Sequence, residues 1–173
     1  MNIRYLSPAD ADIYRQLRLR SLQENPEAFL TTYDIQQAKP LEAFQQNLQR
    51  TAMNFTLGCF TKTQELAGIV TFVRESNPKI THKGTIYAMY VCPEYRGQRI
   101  GNALLTELIQ QAKQCPGLEQ INLTVVSTNH AAKNLYESVG FTTYGTERNA
   151  MKSQGQYWDD DFMVIRLYPT NSN

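Results

Sequence analysis

The chain has 173 residues, 42% of them hydrophobic, with 17 Lys and Arg against 16 Asp and Glu and a formal charge of +1. That length carries one domain whose core needs no staples, and the near-even charge argues against a dedicated nucleic-acid binder, whose affinity comes from clustered cations. Three widely spaced cysteines, Cys59, Cys92 and Cys115, make neither a disulfide framework nor a zinc site.

Residues 1–16 lack the apolar core of a signal peptide and no run of 18 apolar residues follows, so a cytoplasmic protein without a membrane partner is expected. Asn2 to Leu6 reads as a short strand. Ser7, Pro8 and Asp10 supply a cap, a first-turn proline and a carboxylate three residues after the cap, which predicts a helix as far as Glu24, stopped by Asn25-Pro26. An irregular stretch follows through Ala38. Pro40 then opens a helix with Leu41, Phe44 and Leu48 on one face.

Phe55 to Phe60, Leu66 to Arg74 and Thr85 to Val91 have strand character and are separated by turns, as in an antiparallel meander. The period then changes. Leu104, Leu105, Leu108, Ile109 and Ala112 form one helical face that Pro116-Gly117 ends. Ile121 to Val126 is a β-branched run, Ala132 to Val139 a helix ended by Gly140, and Phe141 to Arg148 and Tyr157 to Leu167 are closing strands. The order predicts a single α/β domain with a mixed, mostly antiparallel sheet flanked by helices.

The most informative segment joins the strand ending at Val91 to the leucine-faced helix. Pro93 stops the strand, Gly97 and Gly101 permit close backbone approach, and the helix N-terminus offers unpaired N–H groups to an anion, with Arg96 and Arg99 beside it. It is not a P-loop, because no Gly-Lys-Ser/Thr follows, nor a dinucleotide fingerprint, because G-x-x-x-G replaces G-x-G-x-x-G.

Val91-Cys92-Pro93 followed by Arg96-Gly97-Gln98-Arg99-Ile100-Gly101 resembles the signature of the GNAT superfamily of acyl-CoA-dependent N-acetyltransferases, with Arg99 where that family usually has its first glycine. Asn129 to Phe141 resembles the family's second cofactor segment, and the element order resembles its fold from about residue 2 to 168.

The resemblance implies acetyl transfer from acetyl-CoA to a primary amine, of a small molecule or an amino terminus, by direct attack through a tetrahedral intermediate. No metal is implied. Met89, Tyr90 and Val91 would lie along the pantetheine arm, with Met89 N–H facing the thioester carbonyl. Arg96, Gly97, Gln98, Arg99, Ile100, Gly101 and Asn102 would wrap the pyrophosphate, with no room for a Cβ at Gly101. Arg99 is expected to keep a negative φ. Asn129 reads as a helix cap or a cofactor contact, and Asn134 as the partner of a pantetheine amide. Tyr136 would protonate the departing thiolate; read without the resemblance it is a core aromatic.

The strand before Val91 carries no carboxylate, so Glu75, Glu94, His82 or a water chain are left as candidates for the base. Tyr33 and Glu75 are candidates on the acceptor side. The acidic triplet Asp159 to Asp161 favours a cationic amine or is a solvated turn. A homodimer is left open. The competing reading is a non-catalytic acyl-CoA-binding sensor or interaction module of the same fold, and a third is another donor such as succinyl-CoA.

Overall fold

In the computed structural model, which describes residues 1–167, the apolar and β-branched runs pair into one seven-stranded sheet. Its strands are β1 (Asn2–Tyr5), β2 (Asn54–Phe60), β3 (Leu66–Arg74), β4 (Lys83–Val91), β5 (Gln120–Val126), β6 (Thr142–Ser153) and β7 (Gln156–Arg166). They are ordered β1-β2-β3-β4-β5-β7-β6, and every neighbouring pair is antiparallel except β4 with β5. Residue 168, the end of the expected core, lies outside the described residues.

The two-residue period of β3 sends its neighbours to opposite faces. Val70 and Phe72 pack with α4 (Ile100–Ala112) and α5 (His130–Ser138), whereas Ile69 packs with α1 (Ala11–Glu24) and α3 (Leu41–Asn47). On the first face Leu104, Leu105, Leu108 and Ala112 are fully buried, each leucine contributing about 1.5–3 kcal/mol of burial.

The expected first helix divides in two. Pro8–Asp10 forms a 3-10 turn, where Ser7 N–H donates to Asp10 Oδ2 at 2.8 Å, and α1 begins at Ala11. Arg4 clamps the Asp10 carboxylate at 2.7 and 2.9 Å and, with Ser7, holds its pKa down at about 2.

Two elements differ from expectation. The stretch before Pro40 contains α2 (Tyr33–Gln37), capped by Thr32 Oγ1, which accepts from Ile35 N–H; five residues with no buried member leave no apolar period to read. β6 continues beyond Arg148 to Ser153 because Gln154 and Gly155, at φ +50° and +81°, close a two-residue hairpin onto β7.

Candidate active site

β4 and β5 are paired only from Lys83–Thr85 against Gln120–Asn122 and then part, while β5 stays paired with β7 on its other side. The divergence coincides with a bulge in β4. Ile69 pairs with Tyr90 and Thr71 with Tyr87, so Ala88 and Met89 share the place opposite Val70, with Ala88 in the left-handed region at φ +53°. β4 from Ile86 to Val91 therefore has no strand on its β5 side. The gap widens into a cleft of about 1500 Å³ that reaches both faces of the sheet.

Most of the residues singled out by sequence line this cleft: Met89, Tyr90, Val91, Arg96, Gly97, Arg99, Ile100, Gly101, Asn102, Asn129 and Tyr136. Cys92 N–H bonds the Ala67 carbonyl at 2.9 Å, which ends β4 in register before the Pro93–Tyr95 turn. Arg96 folds back, its Nε donating to the Val91 carbonyl at 3.0 Å. Gly97 sits at φ +76° with open space where a Cβ would stand.

Arg99 does not keep a negative φ. It caps α4 at φ +60°, because the chain must swing from the loop into the helix there, a left-handed position that suits glycine and costs arginine about 1–2 kcal/mol. No side chain caps the α4 N-terminus, so the first-turn N–H groups have no side-chain acceptor. At Gly101 an added Cβ would come within 2.8 Å of Leu135 Cδ2 and 3.3 Å of Met89 Cε. The glycine thus lets α4 pack against α5, a reason that the sequence reading did not contain.

Tyr136 projects from α5 with its ring buried edge-on to Phe141 at 6.0 Å between centroids. Its hydroxyl lacks a hydrogen-bond partner among the described residues, and burial pushes its pKa up to about 12. Asn129 caps α5, its Oδ1 accepting from Ala132 N–H at 3.1 Å. Asn134 is exposed and outside the cleft lining. It stands two residues from both Ala132 and Tyr136, which puts it on the far side of the helix.

Gln98, Tyr33 and Glu75 also lie outside the lining. Glu75 accepts from Thr85 Oγ1 at 3.0 Å, and Gln98 reaches back to the Glu94 carbonyl. Arg20 grips Glu94 at 2.6 and 2.8 Å and Glu24 at 2.8 Å. Glu24 in turn accepts from the Tyr90 hydroxyl, so Tyr90 ties β4 to α1, and burial with this carboxylate raises its pKa. His82 is likewise outside the lining.

Several lining residues were missed. On the α1 face, Tyr14 and Arg18 stand over Thr56 and Thr71, whose hydroxyls are 2.9 Å apart. The cleft's carboxylates are Asp160 on β7 and Glu147 opposite it on β6. Partial burial, then Glu147 and the neighbouring aspartates, raise the Asp160 pKa. The acidic triplet is no turn but part of β7, and its members differ. Asp161 is buried and accepts from Lys133, Ser127 and Thr146, which together hold its pKa down at about 2. Asp159 pairs with Arg148.

The acetyltransferase (GNAT) family model matches residues 18–141. The chain belongs to the GNAT family. An L-amino acid N-acyltransferase from Escherichia coli is 26% identical over 120 residues, 61% of this chain and 69% of its own length. An L-methionine sulfoximine/L-methionine sulfone acetyltransferase from Salmonella typhimurium is 31% identical over 81 residues, about half the length of each protein at 47%. Among solved GNAT-like structures, an acetyltransferase from Streptococcus pneumoniae superposes with a TM-score of 0.87 at 25% identity, covering 95% of this chain and 98% of that one. An acetyltransferase from Salmonella typhimurium, solved with its cofactor acetyl-CoA, superposes at 0.81 with 21% identity over 100% and 97% of the chains. The mixed, mostly antiparallel sheet expected from sequence is thus the GNAT fold.

Proposed function

We propose that this GNAT chain is an N-acetyltransferase that moves the acetyl group of acetyl-CoA to the primary amine of a small molecule by direct attack. The observation that carries the reading is Tyr136, a buried ring whose unpartnered hydroxyl lines a cleft beside a strand edge left open by a bulge. The names of the N-acyltransferase and acetyltransferase relatives support the same class.

The bound thioester supplies an activated carbonyl and a thiolate leaving group. Gly97, the N–H groups of Ile100 to Asn102 and the Arg99 guanidinium suit a pyrophosphate, since the helix end is positive and uncapped. The free edge of β4 offers backbone groups to an extended pantetheine arm, although Arg96 already occupies the Val91 carbonyl. Met89 N–H is the donor assigned to the carbonyl oxygen.

Tyr136 stays protonated at neutral pH because burial disfavours its phenolate. The same desolvation raises the affinity of a thiolate for the proton, so donor and acceptor remain matched. Asp160 is the assigned base, with Glu147 helping to draw the ammonium of the acceptor; Glu75, Glu94 and His82 stand outside the cleft. These two carboxylates provide what the strand before Val91 lacks, which favours an enzyme over a sensor.

The test is thiol release from acetyl-CoA across an amine panel, alongside melting with acetyl-CoA. At about 100 times its dissociation constant a ligand adds roughly 2.7 kcal/mol, a rise of about 5–10 °C for a domain of this size. A shift with turnover is expected. A shift without turnover on any amine would favour the sensor, and no shift would remove the cofactor from the reading.

A further inference from the structure

The buried face of α1 is formed by Ala11, Tyr14, Leu17, Arg18, Ser21 and Leu22, and one of these is charged. Arg18 is 9% exposed and lines the cleft. Among the described residues the ion pairs are Arg4–Asp10, Arg20–Glu24, Arg20–Glu94, Lys133–Asp161 and Arg148–Asp159, so no carboxylate meets Arg18. Its guanidinium lies 4.3 Å over the Phe29 ring and makes one side-chain hydrogen bond, from Nη1 to Ser21 Oγ at 3.3 Å.

A guanidinium carries five N–H donors and remains charged in proteins. Burying it without an opposite charge is costly, and such groups are ordinarily paired. In the lining beside it, Tyr14 of α1 and Thr56 and Thr71 of the sheet floor are neutral hydroxyls that do not repel an anion. The same face of the sheet carries Asp160 and Glu147 beyond β5, so on this face the cleft sets the Arg18 guanidinium against two carboxylates, while Arg96 and Arg99, also outside the ion pairs, stand at the α4 end.

We propose that Arg18 is the anchor for a carboxylate on the acceptor, and that the acceptor is therefore a zwitterion of the amino-acid class, its amine towards Asp160 and its carboxylate on Arg18. This rests on the acetyltransferase reading above and narrows it. The fork of the guanidinium matches two carboxylate oxygens, and the Phe29 ring packs against it at 4.3 Å. A neutral amide in the same place leaves the buried charge unanswered, so the site rejects it.

The experiment measures kcat/KM for the L-α-amino acids and for their matching carboxamides, with acetyl-CoA saturating. The carboxamides have the more acidic ammonium groups and hence more free amine at neutral pH, which biases the assay against the proposal. For the best amino acid, a preference over its amide of about 100-fold or more is expected, in line with removing one partner of a buried charge pair. Arg18→Met should reduce that preference to within about threefold, chiefly through the KM of the acid, with acetyl-CoA affinity unchanged. Arg18→Lys keeps the charge without the fork and should fall between.

Equal use of acids and amides by the unaltered protein would overturn the proposal, as would an Arg18→Met variant that weakens acetyl-CoA instead. If Arg18→Met fails to fold, Arg18→Lys decides by the same ratio. If no amine of either set releases thiol, the acetyltransferase reading fails by itself. Calorimetric binding of the amino acids to the CoA-saturated protein then decides Arg18 alone: binding lost in the Arg18 variants supports the anion site, and absence of binding to the unaltered protein removes it.

Discussion

The α4 and α5 face of the sheet closes over leucines with no exposed surface, whereas the α1 to α3 face carries a row of hydroxyls with a guanidinium sealed above it. Of the four buried polar residues among those described, Arg18, Ser21 and Thr56 belong to the second face. Both faces border the same cleft. An apolar wall holds α4 and α5 in one position and so fixes the uncapped helix end and Tyr136, which suits a ligand that is always the same. The polar wall instead presents individual charges and hydroxyls to a partner whose identity they select. The difference predicts that substitutions on the α4 and α5 side act on acetyl-CoA and on protonation of its leaving thiolate, and those on the α1 side on the acceptor, its choice and its deprotonation.

The sharpest way to break that division is Tyr136→Phe. The ring stays against Phe141 and only the hydroxyl goes, so melting should change little. General-acid catalysis contributes about 10²- to 10⁴-fold, and kcat should fall by that factor for every acceptor alike, with acetyl-CoA affinity kept. A variant that melts early yet turns over normally would return Tyr136 to the core and leave the proton to water.

Asp160→Asn probes the other wall. The change is nearly isosteric, and kcat/KM near neutral pH should fall by about 100-fold. Partial burial with Glu147 and the neighbouring aspartates raises the pKa of Asp160, so in the unaltered protein activity should gain as pH rises through that raised value. The asparagine variant should lose that limb and follow the acceptor amine's own deprotonation. An unchanged pH profile would move the base elsewhere.

How much of this was legible depended on distance along the chain. The proposed cofactor side is written in one contiguous run, from Val91 to Asn102, where a stopped strand, two glycines and a helix start sit side by side. The proposed acceptor side joins Arg18, Thr71 and Asp160, which only the fold brings to one sheet face. Nothing local marks Arg18, since an arginine in a helical period reads as a solvated position. Nothing marks Ala88 either, because alanine rarely adopts the left-handed conformation that the bulge imposes. Asn134 is the converse case: its neighbours in sequence suggested the site, but helical geometry leaves it exposed and outside the cleft lining. Asp160 was within reach, since alternation along β7 sends Asp160 and Phe162 to one face and Asp161 and Met163 to the other.

Asp161 tests how the α5 wall is held to the sheet. Its carboxylate ties α5 through Lys133 to β6 through Thr146 and to the end of β5 through Ser127. Asp161→Asn leaves Lys133 without its counter-charge and should cost about 3 kcal/mol, or about 6–12 °C in melting temperature. The pH dependence has a definite sign. The folded pKa of about 2 lies below the unfolded value of about 3.9, so the stabilisation is present above pH 4 and is lost as pH falls towards 2. Stability measured by denaturant titration should therefore decline less steeply between pH 4 and 2 in the variant. Equal slopes would mean that the acid sensitivity comes from Asp10, which is held down by Arg4 in the same range.

The smallest expected effect is at Arg99, and it separates two roles that one residue combines. As the left-handed cap of α4, arginine is strained by about 1–2 kcal/mol, which glycine would relieve. Glycine also widens the unfolded ensemble, at a cost of about 0.4–1 kcal/mol. The two effects largely offset each other, so Arg99→Gly should shift stability by less than about 1 kcal/mol. The guanidinium, by contrast, is exposed at the helix end where a pyrophosphate would lie. Its removal should weaken acetyl-CoA severalfold at low salt, with the difference shrinking as ionic strength shortens the reach of the charge. Acceptor selectivity should not move, because Arg99 belongs to the α4 wall. If affinity instead rises at every salt concentration, the loop gains more from glycine's freedom than from arginine's charge, and the first-turn N–H groups suffice to hold the phosphates. If the preference among acceptors changes, the division of labour between the two faces is wrong at the residue where it should be cleanest.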